Sequence, residues 1–286
     1  ERRLIMQDQN LYNTGGMVYF IKQIVLIVLT IEIISIVLIG CYLTRYYPTV
    51  KEAFFQSYFL TISALSNSGF SLRENSLGVF AHDYFLQLIV ITLVIFGAIG
   101  YPVLVECKTY LLAKKRKKRT FRFSLFSKLT TTTFFILVAC GTIFIYIFDY
   151  NRYFADKSWL ETFFYALFQS VTTRSAGLTT MDVTLFSDTN QLFMSFLMFI
   201  GASPSSSGGG IRTTTFALVI IFILTYARGG KSLKIFHREV HDEDLQKAVV
   251  VMLLAIGLVF FAVLIMSLYE PFTLTEILFE VTSAFG

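Results

Sequence analysis

The chain has 286 residues, of which 55% are hydrophobic and only 15% charged, with a formal net charge of +5. Its mean hydropathy of +0.66 excludes an ordinary water-soluble domain. The positive charge is gathered beside apolar runs, at Lys114 to Arg119 and at Arg228, Lys231, Lys234 and Arg238, which fits the cytoplasmic side of a membrane and anionic lipid better than a nucleic acid.

Uncharged runs that can cross about 30 Å of hydrocarbon set the class. Gln23 to Leu43 carries only Glu32, and Tyr84 to Val105, Leu129 to Phe148 and Val249 to Leu268 carry no charge. The expected fold is an all-α polytopic membrane protein. The polar stretch Glu1 to Asn10 leads in from the cytoplasm, and Val18 to Leu43 is the first outward span. Glu32 lies in its middle, at a depth where an ionisable group is costly; a hydroxyl or amide of a neighbouring helix is its expected partner. After Tyr46-Tyr47-Pro48, Glu52 to Ile62 is apolar but too short to cross. At 1.5 Å per residue it reaches about 16 Å, half the bilayer. Ser66-Asn67-Ser68-Gly69 follows it. The carbonyl end of the short helix, its negative pole, favours a cation at this loop. Asp83 to Leu112 returns inward, with Gly97, Gly100 and Pro102 permitting close packing or a bend.

The same succession recurs about 110 residues later, as an internal repeat. Leu129 to Phe148 goes out, Trp159 to Gln169 re-enters, and Arg174-Ser175-Ala176-Gly177 follows. Small residues running into a glycine suit a loop that turns its peptide oxygens toward an axis, where rings of carbonyls replace a cation's hydration shell. The Arg174 side chain would repel a cation if it faced the path, so it is expected to turn away and brace the loop. A third copy begins with Val249 to Leu268 and Thr273 to Val281, leading into Thr282-Ser283-Ala284-Phe285-Gly286.

Asn190 to Ala227 holds one charge, Arg212, and would be about 57 Å long as one helix. Its middle, Gly201-Ala202-Ser203-Pro204-Ser205-Ser206-Ser207-Gly208-Gly209-Gly210, cannot sustain a helix. Irregular backbone at membrane depth survives only inside protein or along a watery cavity. A broken helix with a mobile loop in the path is therefore expected, with Arg212 and Thr213 to Thr215 opening the next helix.

These stretches resemble the Trk/Ktr/HKT superfamily of potassium and sodium transporters, most closely the Ktr-type membrane subunit. The matching residues are Ser-Asn-Ser-Gly-Phe at 66–70, Thr-Thr-Arg-Ser-Ala-Gly-Leu at 172–178, Thr-Ser-Ala-Phe-Gly at 282–286 and the Gly/Ser-rich stretch at 201–215. The resemblance implies four helix–pore loop–helix repeats around one pseudo-fourfold ion pore. Residues 1–122 would be the second repeat, 123–240 the third, and 241–286 the start of the fourth. It also implies a selectivity filter at Ser66 to Gly69, Arg174 to Gly177 and Gly286, and a gate at Ser203 to Gly210 with Arg212. Potassium is the implied ion, with sodium also allowed. The implied partners are a second copy in the plasma membrane and a cytosolic ring that holds the regulatory nucleotide. The chain would then be an excerpt of a longer protein.

Two other readings compete. An alternating-access carrier with a midplane site at the broken helix is the second, although repeated half-helices of one polarity weigh against it. An intramembrane enzyme would need a nucleophile–base pair or a metal-ligand set. His82, His237 and His241 do not cluster with acids or cysteines, and Cys41, Cys107 and Cys140 have no metal spacing and are expected in packed cores. No enzyme activity, metal centre or bound cofactor is expected.

Overall fold

The computed structural model describes residues 14–115, 123–230, 234–236, 238–240 and 242–286. The lead-in at residues 1–10, most of the basic run (116–119), Lys231, His237 and His241 lie outside the described residues. Among the described residues three helices are long and apolar enough to cross a bilayer: α1 (Thr14–Leu43), α5 (Leu125–Phe148) and α9 (Asp242–Tyr269). Their crossing stretches show much of their surface, with only 6% of the residues in the α9 window buried. Lipid tails cover such a surface without penalty, so the apolar exposure that would be a liability in water is the normal state here.

Each long helix is followed by a short one. α2 (Val50–Leu65), α6 (Trp159–Thr172) and α10 (Leu274–Phe285) have 16, 14 and 12 residues. They reach about 18–24 Å, short of a full crossing. All three run beyond the ends expected from sequence. The third differs most, because Thr282, Ser283, Ala284 and Phe285 belong to α10 and only Gly286 stands outside it. The reason is local: Thr282 Oγ1 donates to the Leu278 carbonyl 2.8 Å away. With its hydroxyl satisfied by its own helix, this residue does not end it.

The limbs that follow the first two short helices are both broken. α3 (Tyr84–Ala98) and α4 (Tyr101–Lys115) meet at an angle of 105°, so the uncharged run Tyr84 to Val105 is not one straight crossing. Gly100 takes φ +96° at the corner, a conformation open to glycine. Pro102 lies in the first turn of α4, where its missing N–H costs nothing. The second break is wider. α7 (Asp188–Phe199) and α8 (Thr213–Ala227) are separated by the irregular stretch 200–212. A two-residue antiparallel ladder, β1 (Lys234–Ile235) with β2 (Arg238–Glu239), connects α8 to α9.

Lipid is as apolar as leucine, so helices gain little by hiding side chains from it and associate through close contact. Glycines supply that contact. A Cβ on Gly40 of α1 would lie 2.8 Å from the Phe54 ring of α2, and one on Gly141 of α5 would collide with Ser170 of α6. Ile39 and Leu43, Val90 and Val94, and Phe168 and Val171 join α1, α3 and α6 in one buried cluster. The three cysteines are free and exposed, not buried in cores as expected. They sit on helix faces that no described helix covers. Glu32 is half-buried, and its carboxylate meets no donor among the described residues.

Candidate functional site

The loops after α2 and α6 are built alike. In the first, φ is +51° at Asn67 and +73° at Gly69; in the second it is +90° at Ser175 and +70° at Gly177. Positive φ thus falls on the second and fourth residue of each tetrad. Alternating the sign of φ turns successive peptide units the same way instead of to opposite sides. Each loop is also closed at its base by a hydroxyl from its helix. Ser63 Oγ donates to the Phe70 carbonyl at 2.6 Å, and Thr172 Oγ1 to the Leu178 carbonyl at 2.5 Å.

The two loops touch through their glycines. A Cβ on Gly69 would lie 2.8 Å from the Ala176 carbonyl oxygen and 3.2 Å from Gly177 Cα. Beyond them the outer segments join, with Leu77 N–H donating to the Thr179 carbonyl at 2.9 Å and Thr179 N–H to Ser76 Oγ at 3.1 Å. A cavity of about 370 Å³ opens between the loops. Its wall includes Asn67, Ser68 and Gly69, then Ser175, Ala176 and Gly177, then Ser283 and Gly286 from the end of α10. Ser66 and Arg174 stand back from it. Ser66 Oγ bonds the Ile62 carbonyl at 2.6 Å. Arg174 is completely buried and donates from Nη1 to the Ile200 carbonyl at 2.7 Å. That carbonyl ends α7, where the helix dipole favours a cation.

The stretch 200–212 lies behind these loops and is pinned on every side. Ser203 N–H donates to the Ala98 carbonyl at 2.9 Å, Ser207 N–H to the Gly97 carbonyl at 3.2 Å, and Tyr101 N–H to the Ser205 carbonyl at 2.9 Å. These three bonds seat it in the α3–α4 corner. Gly210 N–H reaches the Phe285 carbonyl at 3.1 Å, and a Cβ on Gly209 would come within 3.0 Å of the Gly286 oxygen. Within the stretch, Ala202 N–H meets the Gly209 carbonyl at 3.0 Å and Ser206 Oγ the Ser203 carbonyl at 2.6 Å. Pro204 has no N–H to offer, and its carbonyl instead packs close to Gly100. Gly208 packs against Ser175 with no room for a side chain. Arg212 Nη1 donates to the Gly208 carbonyl. In this conformation the loop expected from sequence is bonded to three different segments.

Three features escaped the sequence reading. The α3–α4 corner is the seat of the 200–212 stretch. The side chains of Asn67 and Ser175 reach that stretch, Asn67 meeting Ser207 Oγ at 3.2 Å and Ser175 Oγ accepting from Gly209 N–H at 2.9 Å. The third feature had a visible signal. All three short helices open on Ser/Thr-x-x-Glu, at Thr49–Glu52, Ser158–Glu161 and Thr273–Glu276, and each hydroxyl caps its helix. Among the described residues no group of His, Cys, Asp and Glu is arranged to hold a metal ion.

Comparison with known proteins follows the same lines. A family model described as TrkH, cation transport protein, matches residues 10–286. Ktr system potassium uptake protein D of Bacillus subtilis is 49% identical over 286 residues, covering 100% of this chain and 63% of that protein. Ktr system potassium uptake protein B of the same organism is 31% identical over 293 residues, again 100% of this chain and 63% of the relative. The potassium/sodium uptake protein NtpJ of Enterococcus hirae is 27% identical, covering 99% of this chain and 62% of its own length. The crystal structure of the potassium transporter TrkH from Vibrio parahaemolyticus superposes with a TM-score of 0.67 at 19% identity, over 91% of this chain and 52% of that one. The chain therefore spans less than two thirds of the length of these relatives.

Proposed function

The chain belongs to the TrkH family of cation transport proteins, and from that premise we propose that it forms most of the pore of a Ktr-type potassium uptake system. The observation that carries this reading is the cavity where two loops of matching backbone sign and the end of a third short helix meet. Peptide oxygens of Ser66 to Gly69, Arg174 to Gly177 and Gly286 form the selectivity filter and replace the hydration shell of potassium. Sodium is a second permitted ion, and the name of the Enterococcus relative carries both. Residues 203–210, with Arg212, form the gate. In this reading residues 1–122, 123–240 and 241–286 are the second, third and beginning fourth of four repeats around a pseudo-fourfold pore. The protein works in the plasma membrane as a homodimer with its basic connectors inside, on a cytosolic ring that binds the regulatory nucleotide. Arg174 acts as a brace: its guanidinium holds the end of α7 while its own backbone stays in the filter loop.

The test is potassium uptake, with sodium as competitor, by the full-length protein in cells stripped of their own potassium uptake. Saturable uptake that is lost on Gly177→Asp, with the protein still present in the membrane, is the expected result. Absence of any uptake with the cytosolic partner supplied, or uptake by Gly177→Asp that still prefers potassium, overturns the assignment.

A further inference from the structure

We infer that Asn67 and Ser175 are struts through which the ion-binding loops and the gating stretch control each other; this rests on the filter and gate reading above. The two residues hold the same position, second in each tetrad. Both take positive φ, +51° and +90°, without being glycine. Strained backbone of this kind persists only where the surroundings hold it. The stretch behind supplies part of that hold on each. The amide of Asn67 meets Ser207 Oγ at 3.2 Å, and Ser175 Oγ accepts the Gly209 N–H at 2.9 Å. Asn67 and Ser175 also line the cavity, and the side chain of each reaches the stretch behind. Ser207 anchors the far end of the first strut, since its N–H and Oγ both reach the Gly97 carbonyl, at 3.2 and 3.1 Å.

A displaced gate loses both struts, and the strained φ values lose their restraint. Filter geometry then differs between gate states, and so does its affinity for the ion. Linkage makes the effect mutual: an ion that prefers one filter geometry biases the gate toward the matching state by the same factor. Asn67 and Ser175 are positioning residues in this scheme, acting on the ion through the loop they hold.

The experiment is potassium influx into proteoliposomes containing the full-length protein, read as maximal rate and half-saturating potassium. Ser175→Ala is compared in the intact protein and in a variant lacking residues 203–209; Ser207→Ala, which falls within that stretch, is measured in the intact protein. Loss of one strut is expected to raise basal influx by roughly fivefold, the equivalent of one net hydrogen bond, and to shift half-saturation. Both effects of Ser175→Ala should vanish in the deletion background. Shifts of equal size with and without residues 203–209 would show that Ser175 acts on the filter alone and overturn the coupling. So would wild-type behaviour of both variants while the deletion itself raises influx. If the deletion leaves influx unchanged, the gate reading itself fails, and with it the coupling. Ser207→Ala leaves the filter sequence intact, so a Ser175 variant that fails to fold does not remove the test.

Discussion

Gly69 and Gly177 occupy equivalent places, yet the structure gives them unequal tolerance of a methyl group. Both have positive φ, +73° and +70°, so alanine costs each about 1–2 kcal/mol of backbone strain. The space differs. At Gly177 the nearest atom to a new Cβ is Gly69 Cα at 3.4 Å, an ordinary contact; at Gly69 it is the Ala176 carbonyl oxygen at 2.8 Å. Gly69→Ala must therefore push a carbonyl of the opposite loop by several tenths of an ångström, and that carbonyl belongs to the proposed ring. Gly177→Ala strains its own loop and displaces nothing else. If the displacement removes about 1.4 kcal/mol of differential interaction, potassium-over-sodium preference falls tenfold. The assay is rubidium or potassium uptake against a sodium series, beside thermal unfolding in detergent. Similar losses of unfolding temperature are expected, with selectivity degraded in Gly69→Ala only. Equal selectivity in the two variants, or the reverse order, would refute the argument that the Ala176 oxygen lies in the path.

Gly97→Ala should lower uptake and unfolding temperature. Helix propensity alone favours alanine by about 1 kcal/mol, but the new Cβ collides with the Leu65 carbonyl and comes within 2.7 Å of the Asn67 amide, so a stabilised variant would contradict the packing. Arg174→Ala should destabilise by about 2–4 kcal/mol, through the emptied volume and the stranded Ile200 carbonyl; unaltered unfolding would show that the second loop is not braced from behind. Ser158→Ala should cost about 1 kcal/mol, because the Glu161 N–H loses its capping oxygen. Thermal unfolding measures it, and a cost near zero would mean that packing on α5 alone fixes where α6 begins.

Much of the architecture is legible because membrane chains write it in long runs. The crossing helices α1, α5 and α9, the two complete short helices, and the break between α7 and α8 all follow from charge-free length and from ten residues that cannot be helical. The misses have physical causes. Thr282 to Ala284 look like a loop by composition, but a threonine that bonds its own helix is as helical as any other residue. The cysteines look like core because apolar residues are buried in water, whereas here the surroundings are also apolar. The α3–α4 corner carries only Gly97, Gly100 and Pro102, and its role depends on backbone bonds to residues more than a hundred positions away. Such bonds leave no side-chain signature. The three Ser/Thr-x-x-Glu caps were in plain view, and they place the starts of the short helices without any structure.

The two helix breaks answer each other. A bend of 105° at Ile99-Gly100 parts the Gly97 carbonyl from the Tyr101 N–H, and Pro102 has no N–H to offer the Ala98 carbonyl. In hydrocarbon each orphan would cost several kcal/mol. The second break supplies what the first lacks: Ser203 and Ser207 N–H groups for the two carbonyls, and the Ser205 carbonyl for Tyr101. Neither break is tolerable alone at membrane depth, but together they are satisfied. The gate proposed for this stretch could not open into a dry space, since every bond it gives up must be replaced. Water is the available replacement, and a hydrated path is what an open gate creates. In that proposal, opening is self-consistent only when it floods the corner at Gly100.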